Sequence, residues 1–338
     1  MRQTKRRAKG QALEPWWVHG GRLGEAQAAF PDAPRPWIDL STGINPHAWD
    51  VTQAGPVDWI RLPDEGALAA LESAAAAHFG VDAASVCAVP GSEMALRMLD
   101  ILDLPQPYRH MAPSYGTHAE ALPGSIAVAQ DAAGAGNGTL LLANPNNPDG
   151  RLLPAERLKA LMAQGETRVV DEAFADAVPG ASLLSGGVDD RLVVLRSFGK
   201  FFGLAGLRLG FVVAAPARLA PLRRRLGSWP VSAAAIAIGT AAYRDAEWIA
   251  NMRAQLLKDA ARLDALLHAH GLDPQGLCPL FRLIRLEDAG ALFDRLARRG
   301  VLTRPFDYAP DWLRMGLPAD DAAYARLDAA LGAALADG

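Results

Sequence analysis

Cysteine is scarce: Cys87 and Cys278 are the only two in 338 residues, and they lie far apart. That leaves no disulfide framework and no metal-ligand spacing, so both read as small buried hydrophobes in a reducing compartment. No apolar run is long enough to cross a bilayer. The basic opening "MRQTKRRAKG" resembles the front of a signal peptide, but "QALEPWWVHGG" follows it where an apolar core should stand. The decapeptide is expected to be a disordered tail and the protein cytoplasmic. A basic excess is also missing: 34 Lys and Arg against 37 Asp and Glu give a net charge of -3. Such a chain cannot neutralise many phosphates, which excludes a general nucleic-acid binder. There are no internal repeats and no long low-complexity segment.

What is present is an ordinary globular balance, 50% hydrophobic and 21% charged. "LPDEGALAALESAAAAHFG" reads as a helix with Asp64 as N-cap and Gly80 just past its end. Short apolar runs follow in "SVCAVPG", "SIAVAQ", "TLLLANP", "TRVVDEAF", "RLVVLRSF" and "LGFVVAA". "SEMALRMLDIL", residues 154–164 and residues 216–226 read as helices between them. Arg223 to Arg225 in the last of these read as a solvated face or a packing edge. The alternation predicts an α/β fold, a mostly parallel sheet covered on both faces. From about residue 231 the chain turns alanine-rich and helical, with Gly239 as a candidate bend, and ends in a smaller α+β unit. The expected organisation is an N-terminal arm over 1–35, a large domain over 36–230 and a small domain over 231–338.

The strongest chemical signal is "RSFGKFFGLAGLRLGF" (196–211). A lysine with apolar flanks is usually structural. Lys200, however, stands between Gly199 and the Phe201–Phe202 pair, where desolvation would favour a Schiff-base nucleophile. Ser197 and Arg208 add a hydroxyl and a fixed cation, suited to a phosphate dianion. Asp171 closes the apolar run of "RVVDEAFAD", where it either caps a helix or faces a pyridine nitrogen and keeps it protonated. "ANPNNPDG" reads by default as a turn, but Asn147 before Pro148 has a side-chain amide able to hold a phenolic oxygen. "PGSEMAL" leads into a helix whose first N–H groups, at Ser92 and Glu93, can hold a phosphate. Tyr115 in "APSYGTHAE" is either a packed aromatic or a platform for a flat ring.

The order GSE, PSY, NPNNPDG, DEAF, SFGK and GLAGLRLG resembles pyridoxal-phosphate enzymes of the aspartate-aminotransferase fold, fold type I. Within that fold it resembles the branch holding histidinol-phosphate aminotransferase and threonine-phosphate decarboxylase, over nearly the whole chain from about residue 17. The resemblance implies pyridoxal 5'-phosphate as cofactor, carried by Lys200, with Asp171 at the pyridine nitrogen and these two as the catalytic pair. Asn147 would bind the phenolic oxygen, Tyr115 would stack on the ring, and Ser92, Glu93, Ser197 and Arg208 would hold the phosphate. Two positions depart from the common pattern. Phe174 stands where many aminotransferases have a tyrosine, which resembles the decarboxylase branch. Leu62 stands where relatives have an aromatic that reaches the partner's cofactor phosphate.

For the substrate, "LSTGINPHAW" (40–49) resembles the decarboxylases' S-x-N-I-N-P, with Gly43 in place of the first asparagine and Asn45 as a candidate contact. Arg304 and Arg314, ten residues apart on two predicted neighbouring strands, resemble arginines that grip a substrate's anionic groups. "HGG" (19–21) resembles the His-Gly-Gly near the start of the decarboxylases, so His19 and Gly20 are expected to close over the substrate phosphate. The implied reaction is decarboxylation of L-threonine O-3-phosphate to (R)-1-amino-2-propanol O-2-phosphate, for the cobalamin side arm. The alternative is a histidinol-phosphate-type aminotransferase using 2-oxoglutarate. A pyridoxal-phosphate-sensing regulator would need a DNA-binding module, and fewer than about forty residues precede the fold. A homodimer is implied, with a small phosphorylated amino acid as substrate and neither nucleic acid nor membrane as partner.

Overall fold

The computed structural model describes residues 15–129, 136–154, 156–158, 160, 165–178 and 180–337. The basic decapeptide lies outside the described residues, as does much of the helix expected over 154–164. The rest divides into two compact units.

The larger unit comprises Ile44–Asp264 and Gln275–Arg282. Its seven strands are β1 (Val86–Val89), β2 (Tyr108–Met111), β3 (Ile126–Val128), β4 (Thr139–Ala143), β5 (Thr167–Asp171), β6 (Leu192–Ser197) and β7 (Gly210–Ala214). They form one sheet in the order β1-β7-β6-β5-β4-β2-β3. Only β7 runs antiparallel to its neighbours, pairing Val89 with Gly210 on one side and Ser197 with Gly210 on the other. β1, β4, β5, β6 and β7 are buried at every residue, as expected for strands with cover on both faces. On one face Leu96, Leu99, Leu219 and Leu222 pack with Leu141, Val169, Val193 and Val212. Burying each such side chain contributes about 1.5–3 kcal/mol.

The helix Glu65–Phe79 has the expected ends: the Asp64 carboxylate accepts from Ala67 N at 2.7 Å, and Gly80 takes a left-handed φ of 72°. The basic run of the helix Pro216–Leu226 is a packing edge at Arg223, which is bonded to Glu72 at 3.0 Å.

One expectation needs correction. Gly239 does not break its helix: Ala233–Arg244 continues through it. The glycine answers to packing instead, since a side chain there would meet Leu209 and Leu71 at 2.6 and 2.8 Å. The break falls at Asp245, whose carboxylate caps the next helix, Ala246–Ala269, by accepting from Trp248 N at 3.0 Å. The two compact units divide the chain along other lines than the expected domains. Residues 231–264 group with the larger unit, and residues 15–43 group with the C-terminal part. The physical reason for the second is a parallel pairing of Ile38–Asp39 with Val301–Leu302.

In that smaller unit Arg304–Phe306 pairs antiparallel with Ala309–Gly316. Leu283, Phe306, Ala309 and Trp312 form its small apolar cluster.

Candidate active site

In the larger unit the sequence motifs gather at one edge of the sheet. Parallel strands put their C-terminal ends together, the place where ligands bind in open α/β sheets. Asp171 ends β5, Ser197 ends β6, Asn144 to Asn147 follow β4, and Tyr115 follows β2.

Asp171 is buried, with Oδ1 accepting from Ala173 N at 3.1 Å and Oδ2 lying 3.0 Å from His118 Nε2. His118 is fully buried, and its Nδ1 lies 2.8 Å from the Ser114 hydroxyl. With Nε2–H donating to the carboxylate, Nδ1 is left to accept from Ser114, so one tautomer satisfies the whole chain. The Tyr115 ring stands edge-on to His118 at 6.0 Å. Burial, reinforced by the Glu93 charge, pushes the Tyr115 phenol up to about 12, so its ring stays neutral at any working pH.

Lys200 sits half-buried on the short helix Phe198–Phe201, its Nζ 5.8 Å from the centre of the Phe174 ring. Phe174 is itself buried edge-on against Phe281 at 5.1 Å, so the position lacking the usual tyrosine is an apolar wall. Asn45 has a role that the sequence motif did not suggest. Its backbone N–H donates to Lys200 O at 2.9 Å and its Nδ2 to Phe201 O at 2.8 Å, while its Oδ1 accepts from His47 N at 2.9 Å. The side chain expected to contact substrate is engaged at both ends by backbone, and it clamps the lysine turn. Asn147 is half-buried, and both Asn144–Pro145 and Asn147–Pro148 are cis.

A third cluster fits a phosphate. The helix Ser92–Arg97 starts just after Gly91, and its first N–H groups have no carbonyl one turn back to bond. A side chain at Gly91, whose φ is 91°, would lie 2.7 Å from Arg208 Nη2, so the guanidinium sits directly against this turn. Ser197 is the register partner of Gly210, and a side chain on Gly210 would come within 2.6 Å of Ser92 N. Ser92, Ser197 and Arg208 are therefore gathered around one small space. The Glu93 carboxylate is taken by Arg97 Nε and Thr117 Oγ1, each at 3.1 Å, which leaves only its N–H for an anion. A phosphate cradle, a carboxylate braced by histidine and a half-buried lysine on one sheet edge are the parts a pyridoxal phosphate group requires.

In the smaller unit Arg304 and Arg314 are direct register partners, and both are buried rather than solvent-facing. Arg314 Nη2 donates to Ser41 O at 2.9 Å, whereas Arg304 donates to Trp16 O and to Pro305 O. His19 is exposed. Gly20 is packed against Ser41 O, which a Cβ would approach to 2.3 Å. Sequence reasoning passed over His118 and Ser41. The one readable signal for His118 was its position four residues after Ser114, a helical turn's spacing.

The model of the family "Aminotransferase class I and II" matches residues 105–329, and the chain belongs to that family. Within it, the chain is 41% identical to a threonine-phosphate decarboxylase of Sinorhizobium sp., over 93% of this chain and 97% of the relative. It is 40% identical to the threonine-phosphate decarboxylase of Pseudomonas aeruginosa, over 93% and 96%. In structure it is similar to histidinol-phosphate aminotransferase from Sinorhizobium meliloti in complex with pyridoxal-5'-phosphate. There the TM-score is 0.80 at 21% identity, with 93% of this chain and 95% of the other covered.

Proposed function

We propose that this chain catalyses the pyridoxal-phosphate-dependent decarboxylation of L-threonine O-3-phosphate to (R)-1-amino-2-propanol O-2-phosphate, a step toward the cobalamin side arm. The observation that carries this reading is near-full-length identity of 41% and 40% to threonine-phosphate decarboxylases. The apolar wall at Phe174 agrees with it.

When bound, pyridoxal 5'-phosphate supplies the electron sink that accepts the pair left as the Cα–carboxylate bond breaks. Lys200 is the residue that would hold the cofactor covalently, through its half-buried amine. Asp171 holds a proton at the pyridine nitrogen, and His118 keeps the carboxylate aimed by holding its other oxygen. Asn147 would donate to the cofactor's phenolic oxygen, and Tyr115 would pack against its ring. Ser92, Glu93, Ser197 and Arg208 anchor the cofactor phosphate. Arg304, Arg314, His19 and Gly20 take the anionic groups of the substrate. The tight anchor would fall on the substrate phosphate, because the carboxylate is the group that must be left free to depart. Asn45 positions Lys200 instead of touching substrate.

A homodimer accompanies this reading. Trp59, Ile60 and Leu62 are 77%, 96% and 65% exposed on one short segment, apolar side chains that a second copy of the chain would cover. Sedimentation is expected to give the mass of two chains, and Ile60→Asp to give one; a wild-type monomer would refute the dimer. The described helices include none long and apolar enough to cross a membrane. Burial pushes the Cys87 thiol up to about 12, which leaves it inert. The cytoplasm is the compartment proposed.

Carbon dioxide release from L-threonine phosphate, with no keto acid added, tests the reaction. No gas, together with 2-oxoglutarate consumption when histidinol phosphate is supplied, would mean an aminotransferase.

A further inference from the structure

Ser41 is fully buried in the smaller unit and uses every polar group it has. Its hydroxyl donates to Asp39 Oδ1 at 2.6 Å and accepts from Gly21 N at 2.8 Å. Its own N–H donates to the same Asp39 oxygen at 2.9 Å. Its carbonyl accepts from Arg314 Nη2 at 2.9 Å, and that carbonyl oxygen is also the atom 2.3 Å from where a Cβ on Gly20 would lie.

One peptide unit thus fixes two features that are remote in sequence. Asp39 accepts the hydroxyl's hydrogen bond, which turns an oxygen lone pair toward the arm. Gly21, at φ 75°, offers its N–H to that lone pair. Gly20 has no side chain and can lie against the carbonyl that orients the Arg314 guanidinium. The two glycines of "HGG" therefore have separate reasons. Gly20 is needed for close approach, and Gly21 for a left-handed backbone with its N–H turned inward.

From this arrangement we infer that Ser41 is a positioning residue that sets affinity for the phosphorylated substrate. It seats the His19–Gly20–Gly21 arm on the same peptide group that holds Arg314. The inference rests on the proposed function only in assigning the arm and Arg314 to the substrate's anions. Ser41→Ala removes the hydroxyl and leaves the carbonyl, so it releases the arm while Arg314 keeps its acceptor. The arm contributes to binding and not to bond breaking, so the loss falls on KM. One hydrogen bond of this kind corresponds to about a tenfold change.

The test uses the cofactor-loaded protein. In Ser41→Ala, KM for L-threonine phosphate is expected to rise about tenfold with kcat within about twofold, and the cofactor absorbance and affinity to stay as in the wild type. Gly20→Ala, which pushes on the shared carbonyl, should raise KM further. Without substrate, the Gly21 amide should exchange its hydrogen about tenfold faster in Ser41→Ala than in the wild type. Asp39→Ala, on an exposed side chain, should give a smaller shift of the same kind and serves if Ser41→Ala does not fold. Equal Gly21 exchange in variant and wild type overturns the inference, and so does an unchanged KM or an equal loss of cofactor binding. Failure of the reaction itself is seen separately, as no carbon dioxide from the wild type, and the Gly21 exchange then still decides whether Ser41 seats the arm.

Discussion

Lys200→Ala is expected to lose the absorbance band that the loaded protein shows near the visible edge and to lower decarboxylation by at least about 10³-fold. The size of the effect follows from how much the turn is built around this one side chain. Asn45 holds the carbonyls of Lys200 and Phe201, Phe198 stacks on Phe202 at 4.4 Å, and Phe174 walls the Lys200 nitrogen at 5.8 Å. Alanine leaves that scaffold intact, because the bonds from Asn45 go to backbone. The variant should therefore fold, bind the cofactor phosphate at Ser92, Ser197 and Arg208, and fail only in chemistry. Absorbance and turnover, measured on the same preparation, check this. A variant that keeps the band would remove Lys200 from its assigned role. Asn45→Ala is the useful contrast, since it frees the turn and should reduce turnover while keeping the band.

The larger unit was legible in the sequence because its strands are short apolar runs between helix caps. All six runs singled out there became strands of one sheet. The exceptions have physical causes. β2 reads "YRHM" and carries too many polar atoms for an apolar run, yet it pairs with both β3 and β4. Gly239 looks like a helix breaker, but what decides is the contact it permits with Leu71 and Leu209. The cofactor motifs could be read because each is local: a lysine beside a serine, an aspartate at a strand end, glycine before a helix. Asn45 and Ser41 could not, because their partners lie 156 and 273 residues away. A side chain that bonds distant backbone leaves no spacing to detect. The same holds for the unit boundary, which is set by a pairing between residues 38–39 and 301–302.

Arg196→Met is expected to cost about 3–5 kcal/mol of stability, the range for breaking a buried ion pair and leaving its partners uncompensated. Arg196 precedes Ser197 on β6 and lies buried between two carboxylates that follow Asp171. Nη1 donates to Glu172 Oε2 at 2.8 Å, Nη2 donates to Asp176, and the guanidinium sits 4.5 Å from the centre of the Phe79 ring. Burial alone would push the Asp176 carboxyl up, but the Arg196 charge and a 3.0 Å bond to His78 more than reverse this and hold it at about 2. The folded value is therefore below the ordinary 3.8, so the group stabilises the fold fully above pH 3.8 and loses that contribution as pH falls through about 2. That contribution is on the order of 2 kcal/mol. Without Arg196 only the His78 bond opposes the burial cost, and the acid limb of the stability curve should move to higher pH. Thermal and urea unfolding from pH 2 to 7 measure both effects, and a variant with wild-type stability at neutral pH would refute them. The same guanidinium ties the strand that leads into the Lys200 helix to the loop that follows Asp171. Turnover at temperatures where the variant is still folded should therefore fall too, because the lysine and the carboxylate lose the strut that keeps them in register.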